Sequence, residues 1–250
     1  MIKAFRGKGT VRSALFSSAG TFAARPLKSL GNVSELSYTF ALEEAKLLDY
    51  RSTSGGIDAG LSRVSDFTGT LALRHMTPEN LALALWGGLV TKPSATLTDE
   101  AGYTITAGSF IATNRLIDTT QAVTVKKGAT TVPASFYTVT SSGLDIADDL
   151  AGSGVTSGDA VTVSYKSAAS VKVDALLTSA PIVSIQFSGT NEVDGKTVVV
   201  RLHKCRLGVP QALQMIGDDF ATLQVPFTVE SDDTIVGAGL SKYLSIDSQS

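Results

Sequence analysis

The sequence predicts a mainly β protein with one short flanking α-helix, and a smaller β-sandwich inserted into it. Three observations carry that prediction. Apolar residues recur at every second position in one segment after another. Only one run combines helical spacing with both a start and a stop signal. Between residues 93 and 169, short strand-like runs and turn residues alternate at the close spacing of a small sandwich.

The first strand signal starts at Leu36. Leu36, Tyr38, Phe40 and Leu42 point one way and Ser37, Thr39 and Ala41 the other, the period of a strand with one buried face. The run continues through Glu43 and Glu44 to Leu47, Leu48 and Tyr50, then breaks at Arg51-Ser-Thr-Ser-Gly-Gly56. Residues 49–66 read as a Gly-rich extended loop, too long for an ordinary hairpin connection. Alternation resumes at Phe67, with Leu71 and Leu73 opposite Thr68, Thr70 and Ala72. In Thr77-Pro-Glu-Asn-Leu-Ala-Leu-Ala-Leu-Trp-Gly-Gly88, Thr77 suits a helix cap, Pro78 the first turn and the two glycines the end. A helix over 78–86 is expected, with Leu81, Leu85 and Trp86 packing against a sheet.

Composition shifts near Lys92-Pro93 and again at residues 167–170. Strand signals at 122–126, 136–140, 144–146 and 159–165 lie between, separated by Lys127-Gly128, Ser141-Ser-Gly143 and the loop 152–158. That pattern predicts an Ig-like β module over 93–169, inserted into a discontinuous core domain of residues 1–92 and 170–250. The core domain resumes with Val183, Ile185 and Phe187 on one strand face, then the turn dipeptide Asp194-Gly195. In the next strand, Val198, Val200 and Leu202 face one side, and Arg201, His203 and Cys205 the other. Leu223, Val225, Phe227 and Val229 form a further apolar face, and Pro226 within it predicts an edge strand or a bulge. The Gly/Ser-rich tail from residue 237 reads as mobile or docked on a neighbour.

A chain of 250 residues with 43% hydrophobic residues buries a substantial core in one or two domains. The net charge of −2 argues against a protein held to nucleic acid by phosphate contacts, though not against one past which nucleic acid slides. A single cysteine, Cys205, forbids an intrachain disulfide. The sequence carries no signal-like N-terminus and no apolar run of the ~20 residues that span a bilayer. The two histidines, His75 and His203, have no partners at ligand spacing. His203 and Cys205 are expected on one strand face with Cβ atoms ~7 Å apart, too far for a nucleophile pair. The pairs Asp148-Asp149, Asp218-Asp219 and Asp232-Asp233 read as turn residues, without the ligand density of a calcium loop. The expectation is a non-enzyme with no metal or cofactor.

Four features together resemble the tail tube (major tail) proteins of long, non-contractile-tailed bacteriophages. They are the strand 35–50 ending Leu-Leu-Asp-Tyr-Arg51, and Asp66-Phe-Thr-Gly-Thr-Leu-Ala-Leu73 leading into the helix. The others are the late pair Gly195-Lys-Thr-Val-Val-Val-Arg-Leu-His-Lys-Cys-Arg206 and Asp219-Phe-Ala-Thr-Leu-Gln-Val-Pro-Phe-Thr-Val229, and the module strands 136–140 and 159–165. The resemblance implies a tail-tube-type β-sandwich or barrel core flanked by one helix, six copies in a ring, their inner sheets forming one barrel, and rings stacked into a virion tube assembled in the host cytoplasm. It implies as partners the protein itself, a tape measure protein, a tail terminator and distal tail or baseplate proteins. DNA would transit the lumen without specific binding, and no membrane is involved. The loop 49–66 would reach the adjacent ring, making Arg51, Ile57, Asp58, Leu61 and Arg63 candidate inter-ring residues. A DNA-passing lumen avoids basic surface, so Glu43, Glu44 and Asp66 are lumen candidates. Glu43 and Glu44 face opposite sides of a regular strand, so only one of them lines the bore. Arg51, Arg63 and Arg74 would pair with acids across subunit boundaries. The module would decorate the exterior. A tail terminator, a contractile-tail inner tube and a β-rich adhesin are the alternative readings.

Overall fold

The computed structural model describes residues 4–18, 20–51 and 56–249. Its contacts divide the chain into two units, Met1–Gly88 with Val173–Ser250, and Leu89–Lys172. The inserted unit thus runs from 89 to 172 rather than from 93 to 169. The reason is local: β5 (Gly88–Lys92) and β13 (Ser170–Asp174) pair with each other in a ribbon of their own, which composition alone had assigned to the core domain.

The protein is mainly β, with one short helix. The first unit holds β1 (Gly7–Leu15), β2 (Lys28–Ser29), β3 (Val33–Leu48), β4 (Ile57–Leu73) and α1 (Pro78–Ala84). After the insertion come β14 (Ile182–Asn191), β15 (Thr197–Leu207), β16 (Leu223–Val229) and β17 (Leu244–Ser248). The strands form one sheet in the order β2-β1-β14-β15-β16-β4-β3, with β17 on β15. One edge of β15 is shared: β17 occupies Val198–Leu202 and β16 occupies Cys205–Leu207. Leu71, Leu73, Ile185, Leu202, Leu223 and Phe227 meet in a single core, each at most 2% exposed. Burying each such side chain contributes about 1.5–3 kcal/mol.

Helix α1 packs Ala84 into this core, with Leu81 and Leu83 partly buried against it. Thr77 Oγ1 accepts the Asn80 backbone N–H at 3.2 Å, as its sequence signal predicts. The Asn80 amide then donates to the carbonyls of Leu30 and His75, tying the helix start to the strands before it. The helix ends earlier than expected. Trp86, not a glycine, takes the left-handed conformation (φ 53°) beyond its last turn, and its carbonyl accepts from both Leu177 and Thr178. Gly87 is required for a different reason: a Cβ there would sit 2.5 Å from the Asp174 carbonyl oxygen. Leu85 and Trp86 are half-buried at this end.

The second unit contains β6 (Thr96–Ile105), β7 (Phe110–Ala112), β8 (Thr124–Lys127), β9 (Thr130–Val132), β10 (Tyr137–Thr140), β11 (Gly143–Ile146) and β12 (Asp159–Lys166). Its sheets, β6-β12-β8-β9 and β10-β11-β7, enclose Ile105, Val125, Leu144, Val163 and Tyr165. Strand β6 has no clear sequence signal, because Thr-Leu-Thr-Asp-Glu-Ala-Gly reads as a turn. Its pairing with β12 accommodates the polar stretch through two register shifts.

Four expectations change. Residues 57–66 are strand, not loop. A register shift between the Val183–Cys205 and Ile185–Leu202 pairs puts an extra residue into β15. It turns Cys205 into the core beside Leu202 and away from His203. Strand β16 lies inside the sheet and pairs with β4 without a bulge. Pro226 sits just past the end of the β15 ladder, so its missing N–H interrupts nothing there. The tail docks on its own sheet as β17 rather than on a neighbour.

Candidate assembly surface: an open β-arm

Strands β3 and β4 pair along their whole length, but β16 covers β4 only from Thr68 to Leu73. Beyond that point the hairpin leaves the sheet as a free two-stranded arm. From Ile57 to Asp66 it extends about 30 Å at ~3.3 Å per residue. Every described residue from Thr39 to Leu48 and from Gly56 to Asp66 is exposed. The tip, 52–55, lies outside the described residues.

The register assigns each arm residue to a face. Phe40 opposes Phe67 and Ala41 opposes Asp66, but Leu42 opposes Val64, so Ser65 is an extra residue on β4. Asp58 is a second such bulge, between the Leu47–Ala59 and Leu48–Ile57 pairs. One face, continuous with the buried side of the sheet, carries Phe40, Leu42, Val64, Glu44, Ser62, Lys46, Leu48 and Ile57. The other continues the polar face of Ser37, Thr39, Thr68 and Thr70, and carries Asp66, Glu43, Arg63, Ala45, Leu61, Leu47 and Ala59. Both faces are apolar over much of their length, with Leu42 65% and Leu61 66% exposed.

The inter-ring candidates Arg51, Ile57, Asp58, Leu61 and Arg63 lie on or at the end of this arm, with their charges paired within the chain, whereas Arg74 follows β4 at its opposite end. Arg51 bonds to Asp58 at 3.3 Å. Arg63 reaches Glu43 Oε2 of its own chain through Nε at 2.8 Å and Nη2 at 2.6 Å. Glu44 pairs with Lys46 at 3.0 Å. Glu43 and Asp66 share the polar face while Glu44 takes the opposite one. Asp66 accepts the Phe67 backbone N–H at 2.9 Å.

Where the arm leaves the sheet, a groove of about 580 Å³ is lined by Phe40, Val64, Asp66, Phe67, Glu230 and Tyr243, among others. Glu230 is held below the usual carboxylate range, chiefly by its hydrogen bond with Arg206. The groove therefore presents a paired acid beside apolar and hydroxyl side chains.

A second polar cluster has no sequence signal, because its members lie far apart in the chain. Arg25 and Asp232 form a fully buried ion pair at 2.7 Å. The guanidinium also donates to Ser184 Oγ and the His203 carbonyl, both at 2.8 Å, and lies 4.5 Å from the Phe16 ring centroid. Burial favours protonation of Asp232, but hydrogen bonds from Thr234 and Arg25 outweigh it, and the pKa lies below the ordinary value. Burial lowers the pKa of His203; Asp232 opposes that shift and Arg25 adds to it. Burial drives the Cys205 thiol far up, so the thiolate a nucleophile needs does not form near neutral pH. Among the described residues, no group of three His, Cys, Asp or Glu side chains could hold a metal ion.

No helix among the described residues is long and apolar enough to cross a membrane. None of the curated proteins compared with the chain matches it. One family model does match, over residues 4–247, nearly the full length. The chain belongs to the family described as Protein of unknown function UCP028589.

Proposed function

We propose that the protein is a non-catalytic, self-assembling structural subunit, a phage tail tube protein whose copies close into rings and stack into a tube that passes DNA. The observation that carries this reading is the β-arm. A long strand edge with apolar side chains on both faces is an aggregation hazard unless another chain covers it. Here both edges are open: β3 is terminal in the sheet order, and β4 is unpaired on its far side up to Phe67. Pairing β3 of one copy with β4 of the next uses two different surfaces. Such a head-to-tail contact closes into rings when the rotation allows and leaves no edge exposed.

The polar face supports a bore. Thr39, Thr68 and Thr70 carry no charge there, and the Glu43–Arg63 pair is neutral. A phosphate backbone meets no net basic surface on that stretch.

The test replaces residues 42–64 with an Asn-Gly turn and measures light scattering and melting side by side. The shortened chain is expected to unfold cooperatively near the full-length temperature, yet to stay monomeric where the full chain polymerises. Polymerisation of the shortened chain at the full-length concentration contradicts the proposal.

A further inference from the structure

Among the described residues, the Glu43–Arg63 pair is the one charge pair on the polar face of the arm whose members sit on the two strands with open edges. Both bonds from Arg63 land on the same oxygen, Glu43 Oε2, which leaves Oε1 free to accept from a second guanidinium. On that face the flanking Ala41, Ala45, Leu61 and Ala59 carry no charge, and the one nearby acid, Asp66 opposite Ala41, accepts the Phe67 backbone N–H. A neighbouring carboxylate therefore meets no cation other than Arg63 within a pleat on either side.

We propose that Glu43 of one copy pairs with Arg63 of the next, so that the internal pair becomes one link of a continuous belt of alternating charge around the assembly. This inference rests on the self-assembly reading and names the residue pair that sets which copy edge meets which. When arms lie side by side, β3 of one copy runs antiparallel to β4 of its neighbour, as it does to its own. With no axial offset between copies, Glu43 of one copy lies level with Arg63 of the next, as it does with Arg63 of its own chain. A stagger of one pleat keeps them diagonal, still within reach of an arginine. An edge pairing of β3 with a second β3 would put carboxylate against carboxylate, and β4 with β4 guanidinium against guanidinium. The belt therefore favours head-to-tail rings over two-fold pairs.

Mixing separates contacts between chains from contacts within them. Glu43→Lys gives a chain with two cations at the site, and Arg63→Glu gives one with two anions. Each is expected to need at least about tenfold more protein to polymerise than wild type, because like charges oppose at every interface. An equimolar mixture is expected to polymerise near the wild-type concentration, with the two chains alternating, although the internal pair stays broken in both. The doubly substituted chain, E43K with R63E, is also expected to polymerise alone. The belt is overturned if either single variant polymerises as wild type does. It is equally overturned if the double variant recovers but the mixture does not, since the pair then acts only within a chain. Cooperative melting of each variant shows that it is folded. If wild type itself never polymerises, the self-assembly reading fails and the belt with it; if wild type polymerises and the mixture does not, only the belt fails.

Discussion

Arg25 gathers three distant parts of the first unit. Its guanidinium ties the segment after β1 to β14, to β15 and to the chain between β16 and β17, through Ser184, the His203 carbonyl and Asp232. Removing one partner of such a buried pair leaves an uncompensated charge, which costs more than the pair contributes when intact. Arg25→Met is therefore expected to destabilise the fold by about 3–5 kcal/mol, read from urea unfolding. A loss under 1 kcal/mol would mean that Asp232 finds another donor or that water reaches it. The cluster also contributes to the response to acid. Both His203 and Asp232 have folded pKa values below their unfolded ones. The unfolded chain thus binds more protons in each window, and stability must fall as pH falls. The histidine contribution is complete above the unfolded value of 6.5 and is lost below it, down through the lowered folded value. The aspartate contribution is complete above 3.8 and disappears as pH drops through its own lowered value. Unfolding free energies measured between pH 8 and pH 3 should show both declines, and His203→Gln should remove the first. An unchanged first decline in that variant would assign it to other groups.

At the scale of elements, the sheet shows why some features are legible in the sequence and others are not. The β3 alternation from Leu36 to Leu42 survives intact because the bulge on β3, at Ser34, precedes it and the other two fall on β4. Ser65 and Asp58 each insert a residue into β4, so Ile57-Asp-Ala-Gly-Leu-Ser-Arg-Val64 has no unbroken period of two and reads as loop. The extra residue in β15 likewise reverses the facing of Cys205. A residue-by-residue period cannot reveal where it will be broken. The candidates Arg51, Ile57, Asp58, Leu61, Arg63 and Glu43 follow from position along the chain, whereas the pairings Arg51–Asp58 and Arg63–Glu43 require the register. Arg25 and Asp232 were invisible as a pair, since 207 positions separate them. Gly69 is a further element-scale feature. It lies between Tyr38 and Phe227 in neighbouring strands, and a Cβ there would come within 2.3 Å of the Phe227 ring. Overpacking of this kind costs about 1–3 kcal/mol. Gly69→Ala is expected to lower stability by that amount, whereas Gly60→Ala on the open arm, where no atom lies within 4 Å, should not. Equal effects in thermal melts would show that the Phe227 ring moves aside.

The whole molecule combines a sheet complete on one side with an arm complete on neither. The core satisfies its own apolar face through α1, Leu30 and the strands that share β15. The arm exposes Leu42, Leu47, Leu61 and Val64 without any described residue covering them. Under the proposed assembly, further copies would cover these side chains at residues 40–66. The inserted unit has its own core, with Ile105, Leu144 and Val163 fully buried, so it needs no help from the arm to fold. The measurement that tests the account most directly is negative-stain electron microscopy of the purified chain over a rising concentration series. Rings or hollow tubes with a regular axial repeat are the predicted result. Discrete single particles at every concentration, with or without added nucleating tail complexes, would contradict it.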